Sequence, residues 1–284
     1  MQRWLWFALF TTVSWGIWGA FIEIPEKAGF PATLGYAVWA LTMVPCALVA
    51  LRVAHWRLER DRRAVVLGGA VGFLGAGGQL ILFEALRLGP AFVVFPIVAI
   101  YPVLTIVLSV LLLHERATRR HWVGILLALP AIALLSYVEP GDTVVKGYAW
   151  LPLAALVFVM WGVQAYVMKS ATRTTSAEGI FFYMAATAVA LIPMAVWMTD
   201  LGAPINWALK GPYLAALVQV LNSVGALCLV YAMRHGKAII VAPLTALSPV
   251  ITVVLSLMIY SRVPPPYQVA GIVCAAVAMG LMAE

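Results

Sequence analysis

Apolar positions in this chain fall into ten long runs, closed by charged clusters or Pro/Gly breaks, at 4–22, 32–52, 64–88, 91–113, 120–138, 147–169, 177–198, 211–234, 239–260 and 266–283. Each is close to the ~20 residues that a helix needs to cross about 30 Å of hydrocarbon. Runs such as Leu104 to Leu113 do not alternate between apolar and polar side chains, which excludes barrel strands and predicts helices. Ten crossings use roughly 200 of the residues and leave about eight per connection, so no soluble domain fits between them.

Composition sharpens this picture. The 284 residues are 64% hydrophobic and 10% charged, with a mean hydropathy of +1.00. A soluble domain is about half apolar and about a quarter charged, so a water-soluble globule is excluded. The first run starts at Trp4 without a basic n-region or an A-x-A signal, and is expected to stay as the first membrane helix. Cys46, Cys228 and Cys274 each lie inside an apolar run, which implies neither a disulfide framework nor a metal site.

The formal charge of +7 is read as a membrane signal rather than a nucleic-acid one. Thirteen Lys and Arg fall on the side shared by both termini: Arg3, Arg52, Arg57, Arg60, Arg62, Arg63, Arg116, Arg119, Arg120, Lys169, Arg173, Arg234 and Lys237. Five fall on the other: Lys27, Arg87, Lys146, Lys210 and Arg262. The positive-inside rule then predicts that both termini are cytoplasmic, in a cell membrane of the bacterial inner-membrane kind.

Sliding the chain on itself reveals an internal repeat. The segment ALRLGPAFVVFPIVAIYPVLTIVLS from Ala85 aligns without a gap to AMRHGKAIIVAPLTALSPVITVVLS from Ala232, with thirteen of 25 pairs identical. The register pairs Gly89 with Gly236, Pro96 with Pro243, Pro102 with Pro249 and Thr105 with Thr252, and continues to Gly124 with Gly271. A shift of one residue pairs Trp15-Gly16 with Trp161-Gly162. Two repeats follow, 1–138 and 147–284, in one membrane domain. Five spans per repeat is an odd number, so the second copy enters the membrane from the opposite side. Inverted repeats of this kind are the architecture of secondary transporters, with a site near the midplane between the halves.

The Trp-Gly pair opening each half, the stretch PIVAIYPVLTIVLSVLLLHER and the following HWVGILLALPAIAL resemble the drug/metabolite transporter superfamily, in particular its EamA-type exporters. The resemblance covers nearly the whole chain and implies ten helices and export of amino acids or related metabolites, aromatic amino acids included. The family's acidic residue after the fourth span is matched by Glu115, whereas the corresponding position of the second half is Arg262. The superfamily's four-helix members use a buried Glu in their first span, and this first span has no acid between Arg3 and Glu23.

Polar residues inside the spans mark the candidate site. Proline at Pro96, Pro102, Pro243 and Pro249 predicts kinks or gates in the fourth and ninth spans, with the carbonyls of Val98 and Thr245 freed from their usual donors. Tyr101 and Thr105 share a face of the fourth span; Thr245, Ser248 and Thr252 share one of the ninth. The amides of Gln79, Gln164, Gln219 and Asn222 are costly in lipid and should point inward, as substrate contacts or as interhelical bonds. Trp15 and Trp161 lie too deep for an interfacial belt and are candidates to wall a pocket with Trp18. Gly68, Gly72, Gly75 and Gln79 form one small-residue face. Glu84 sits three residues from Arg87, either as a self-neutralising pair or as a coupling acid.

The candidate substrate contacts are thus Trp15, Gln79, Tyr101, Trp161, Gln164, Asn222, Thr245 and Ser248. No catalytic or metal-binding set is expected, because His55, His114, His121 and His235 map to span ends and no paired carboxylates occur within a span. No cofactor is implied, and the partners are the bilayer and a small neutral or zwitterionic substrate, with the chain a monomer or weak homo-oligomer. Export of hydrophobic drugs, sugars or nucleosides, and a non-transporting membrane scaffold, are the alternatives.

Overall fold

The computed structural model describes residues 2–137, 147–260 and 263–283. Lys146 and Arg262, two of the five basic residues assigned to the outer side, lie outside the described residues. The chain is all-helical among those described. Ten spans run α1 Arg3–Lys27, α2 Ala32–Val53, α3 Arg62–Leu88, α4 in two halves (Ala91–Ala99 and Pro102–Leu111), α5 Arg119–Leu135, α6 Trp150–Ala171, α7 Ala177–Trp197, α8 Leu209–His235, α9 in two halves (Ala238–Thr245 and Pro249–Tyr260) and α10 Pro266–Ala283. Among the described residues, nine of these are long and apolar enough to cross a membrane. The exception, α5, has 17 residues and spans about 25 Å; it lies against α10 along most of its length.

The two halves are interleaved rather than set side by side. Helix α1 packs on α8 and α9 of the second half, and α6 packs on α3 and α4 of the first, so each tryptophan-bearing helix is inserted into the other half's hairpin. Glycines make this possible. A Cβ on Gly16 would stand 2.9 Å from the carbonyl of Ser248, and one on Gly162 would stand 2.7 Å from Cβ of Leu104. The result is two bodies, α1–α8–α9 and α3–α4–α6, related by the inverted repeat.

Three backbone details were not anticipated by the apolar pattern. The glycine face of α3 is interrupted by a π-helical turn, Phe73–Gly77, which re-phases the helix just before Gln79. Helix α7 breaks at Leu191, ahead of Ile192–Trp197. The carbonyls expected to be freed by Pro102 and Pro249 are bonded again: Val98 O accepts from Tyr101 N at 3.0 Å and Thr245 O from Ser248 N at 3.2 Å. Proline removes the donor four residues on, and the chain tightens to a three-residue turn that supplies another.

The first halves of α4 and α9 differ in burial. Every residue from Ala238 to Leu247 is buried, whereas between Ala91 and Ile100 only Val94 and Val98 are buried among the described side chains. Residues equivalent in sequence are thus enclosed at the Arg3 end of the bundle and more open at the Lys27 end.

Candidate substrate site at the helix breaks

The inner tryptophans are held by mirror-related hydrogen bonds between the halves. Trp15 Nε1 donates to Asn222 O at 3.3 Å, and Trp161 Nε1 donates to Gly75 O at 3.2 Å. Gly75 and Asn222 are equivalent in the repeat, as are the glycines beneath the two rings, Gly78 and Gly225. Thr105 Oγ1 donates to Gly162 O at 3.0 Å and Thr252 Oγ1 to Gly16 O at 2.9 Å, again as equivalents. Each Trp-Gly pair is therefore a two-point attachment, the indole fastened to one hairpin helix and the glycine carbonyl to the other. Sequence reasoning placed the tryptophans inside the bundle; their backbone acceptors came only from the fold.

The amides divide into two groups. Gln219 is buried and bonded at both ends of its amide: its Oε1 accepts from Trp18 Nε1 at 2.9 Å and from Asn222 Nδ2 at 3.3 Å, while its Nε2 donates to Gly35 O at 3.2 Å. Asn222 joins this network. Thr245 is also buried, and its hydroxyl bonds Val241 O and Ala242 O on its own helix. Gln79, Gln164 and Tyr101, by contrast, are half-buried, and their side-chain polar atoms have no hydrogen-bond partner among the described residues. Ser248, the repeat equivalent of Tyr101, is likewise half-buried at the α9 break.

Gln79, Gln164, Tyr101 and Trp161 belong to one body. The Gln164 amide lies over Gly75, where a Cβ would collide with it, and the Trp161 ring covers Gly78, one residue before Gln79. Tyr101 meets Trp161 edge to face, ring centres 6.0 Å apart. The unpaired Gln164 amide, a free phenol and an indole face thus gather where α3, α4 and α6 meet, beside the break that Pro102 begins, with the unpaired Gln79 on the adjoining stretch of α3. The repeat equivalents of Gln79 and Gln164 are Ala226 and Trp18, so the polar groups are concentrated on one side. Pro102 and Pro243 are buried, and Pro96 and Pro249 half-buried.

Glu84 lies outside this cluster. Both of its oxygens are taken by Arg87, at 2.8 Å to Nε and 2.5 Å to Nη2, toward the Lys27 end. Trp39 Nε1, on α2, is buried without a partner among the described residues, a residue that its apolar run gave no reason to single out.

Broken helices in inverted repeats, with polar and aromatic side chains at the breaks, define a membrane transporter. The sequence profile of the EamA-like transporter family matches residues 2–137 and again 148–283. The chain belongs to that family, within the drug/metabolite transporter superfamily. It is 28% identical over 280 residues to a probable terminal-alkyne amino-acid exporter of Streptantibioticus cattleyicolor, covering 95% of this chain and 90% of that one. It is 26% identical over 271 residues to the protein RarD of Streptomyces exfoliatus, covering 90% and 80%. A solved crystal structure superposes with a TM-score of 0.75 at 20% identity over 97% of both chains, a likeness of fold.

Proposed function

We propose that this chain exports small neutral or zwitterionic metabolites, amino acids foremost and aromatic ones included, by alternating access around the α3–α4–α6 cluster. The observation that carries the reading is the set of half-buried, unpartnered polar groups on Gln79, Gln164 and Tyr101 at the helix breaks. An amide left unpaired at membrane depth is costly, so these groups call for water or a polar ligand. Amide oxygens suit an ammonium group, amide N–H groups and the phenol suit a carboxylate, and the Trp161 and Tyr101 rings suit an apolar or aromatic side chain. The cluster carries no fixed charge, which favours a substrate whose charges cancel. The named amino-acid exporter among its relatives agrees with this.

The direct test is a panel of radiolabelled amino acids in proteoliposomes, with and without a pH gradient. Facilitated efflux of at least one amino acid above protein-free vesicles is expected; a flat panel, with sugar or nucleoside efflux instead, would replace the substrate class.

In this reading the arginine-rich end faces the cytoplasm of a bacterial cell, in the inner membrane. Single thiols placed at positions 57 and 210, in a background lacking Cys46, Cys228 and Cys274, should separate cleanly. A membrane-impermeant maleimide is expected to reach position 210 in whole cells and position 57 only after permeabilisation; the reverse pattern would invert the orientation.

A further inference from the structure

At the Arg3 end, two side chains bridge the bodies. Lys169, in the last turn of α6, donates from Nζ to the carbonyls of Met233 at 2.8 Å and Gly236 at 2.5 Å, where α8 ends. Glu115, on the connection between α4 and α5, accepts from the backbone N–H of Ile239 at 2.9 Å, where α9 begins. An ammonium is placed on the carbonyl end of one helix and a carboxylate on the N–H end of the next. Each meets the helix terminus of complementary sign and satisfies groups that the helix itself leaves open. Lys237 adds an exposed bond, from Nζ to Arg116 O at 2.7 Å. The Lys169 and Glu115 attachments, both half-buried, join α3–α4–α6 to α1–α8–α9.

The inverted repeat states what the other end would need. The equivalents of Met233 and Gly236 are Leu86 and Gly89, at the end of α3, and Lys169 is replaced there by Glu23. The equivalent of Glu115 is Arg262. Both charges are reversed. A carboxylate cannot donate to carbonyls, and a guanidinium cannot accept from an N–H. Neither bond can form at the Lys27 end, and each reversed charge would oppose its helix dipole. Glu23 instead pairs with Lys27 at 2.6 Å, and the first half of α4 is the less buried of the two equivalent segments.

We infer that Lys169 and Glu115 form a one-sided latch that closes the cytoplasmic end, so that the empty carrier rests open to the outside. They are positioning residues rather than substrate contacts, and the inference rests on the alternating-access reading above. Spin-label distances in lipid nanodiscs test it on the full-length chain without its native cysteines, and with no substrate present. One label pair, on Gln2 and Arg173, reports the cytoplasmic end; another, on Glu26 and Tyr148, reports the outer end.

A short cytoplasmic distance is expected in the otherwise unaltered chain and in Lys169→Arg, which keeps its donors. Lys169→Met and Glu115→Ala should each raise the long-distance population at the cytoplasmic end at least tenfold. Glu23→Lys, which supplies the missing donor outside, should shorten the outer distance. If Lys169→Met does not fold, Glu115→Ala and Glu23→Lys decide. Unchanged distances in Glu115→Ala and Glu23→Lys would overturn the latch and reduce both residues to helix caps. Because no substrate is present, altered distances alongside a flat efflux panel would count against the substrate assignment alone.

Discussion

Gln79→Leu and Gln164→Leu should each lower amino-acid efflux by roughly ten- to a hundredfold while leaving the amount and stability of folded protein close to unchanged. Neither amide has a partner among the described residues, so replacing it with a near-isosteric apolar side chain leaves none of their polar groups stranded. What is lost is a hydrogen bond to a charged group of the ligand, worth about 1.5–3 kcal/mol. Gln219→Leu provides the contrast. It would strand Trp18 Nε1 and Asn222 Nδ2, each costing about 1–3 kcal/mol, and should appear as a lower melting temperature. Efflux per folded molecule and thermal stability, measured on the three variants, separate the two roles. Normal efflux in both Gln79→Leu and Gln164→Leu would remove the α3–α4–α6 cluster from the transport pathway.

Gly16→Val and Gly162→Val should be the most damaging single substitutions in the membrane core. The valine Cβ at position 162 would stand 2.7 Å from Cβ of Leu104, and at position 16 it would stand 2.9 Å from Ser248 O, with Ile251 closer still. These neighbours are backbone or the stems of side chains and cannot swing aside, so α6 must lift from α4, or α1 from α9. Separation also breaks the bonds from Thr105 to Gly162 and from Thr252 to Gly16. Overpacking costs about 1–3 kcal/mol, sometimes more, and each broken bond adds to it. Thermal unfolding in detergent should show a marked loss for each, and size-exclusion chromatography should show little monodisperse double variant. Gly280→Val, with no atom near its Cβ position, should be close to neutral. Unaltered stability in Gly162→Val would mean that α6 does not pack on α4 as described.

Much of this architecture is legible in one dimension because lipid is an unforgiving solvent. A spanning segment must satisfy its own backbone and be about as long as the bilayer is thick, so apolar runs and their breaks report helices directly. The repeat register, carried by Pro102 with Pro249 and Gly89 with Gly236, reports the inversion because five crossings are odd. Local chemistry is equally readable: Glu84 and Arg87 are neighbours on one helical turn, and they do pair.

The amides were legible only as a class. Gln219 and Gln164 look alike in sequence, each a lone glutamine in an apolar run. What separates them is Trp18, about 200 positions from Gln219, and the backbone of Gly35, which only the packing of α1 and α2 on α8 brings within reach. Gln164 meets a glycine instead, which offers it no side-chain partner. The same holds for Lys169, one basic residue among thirteen until α8 and α9 present their helix ends to it. Hydrophobic length and the repeat determined that this chain is an inverted ten-helix membrane protein, because those constraints act along the chain and against the solvent. Which polar groups are satisfied, which remain free for a ligand, and which end is fastened depended on contacts between distant helices, and these belong to the tertiary structure alone.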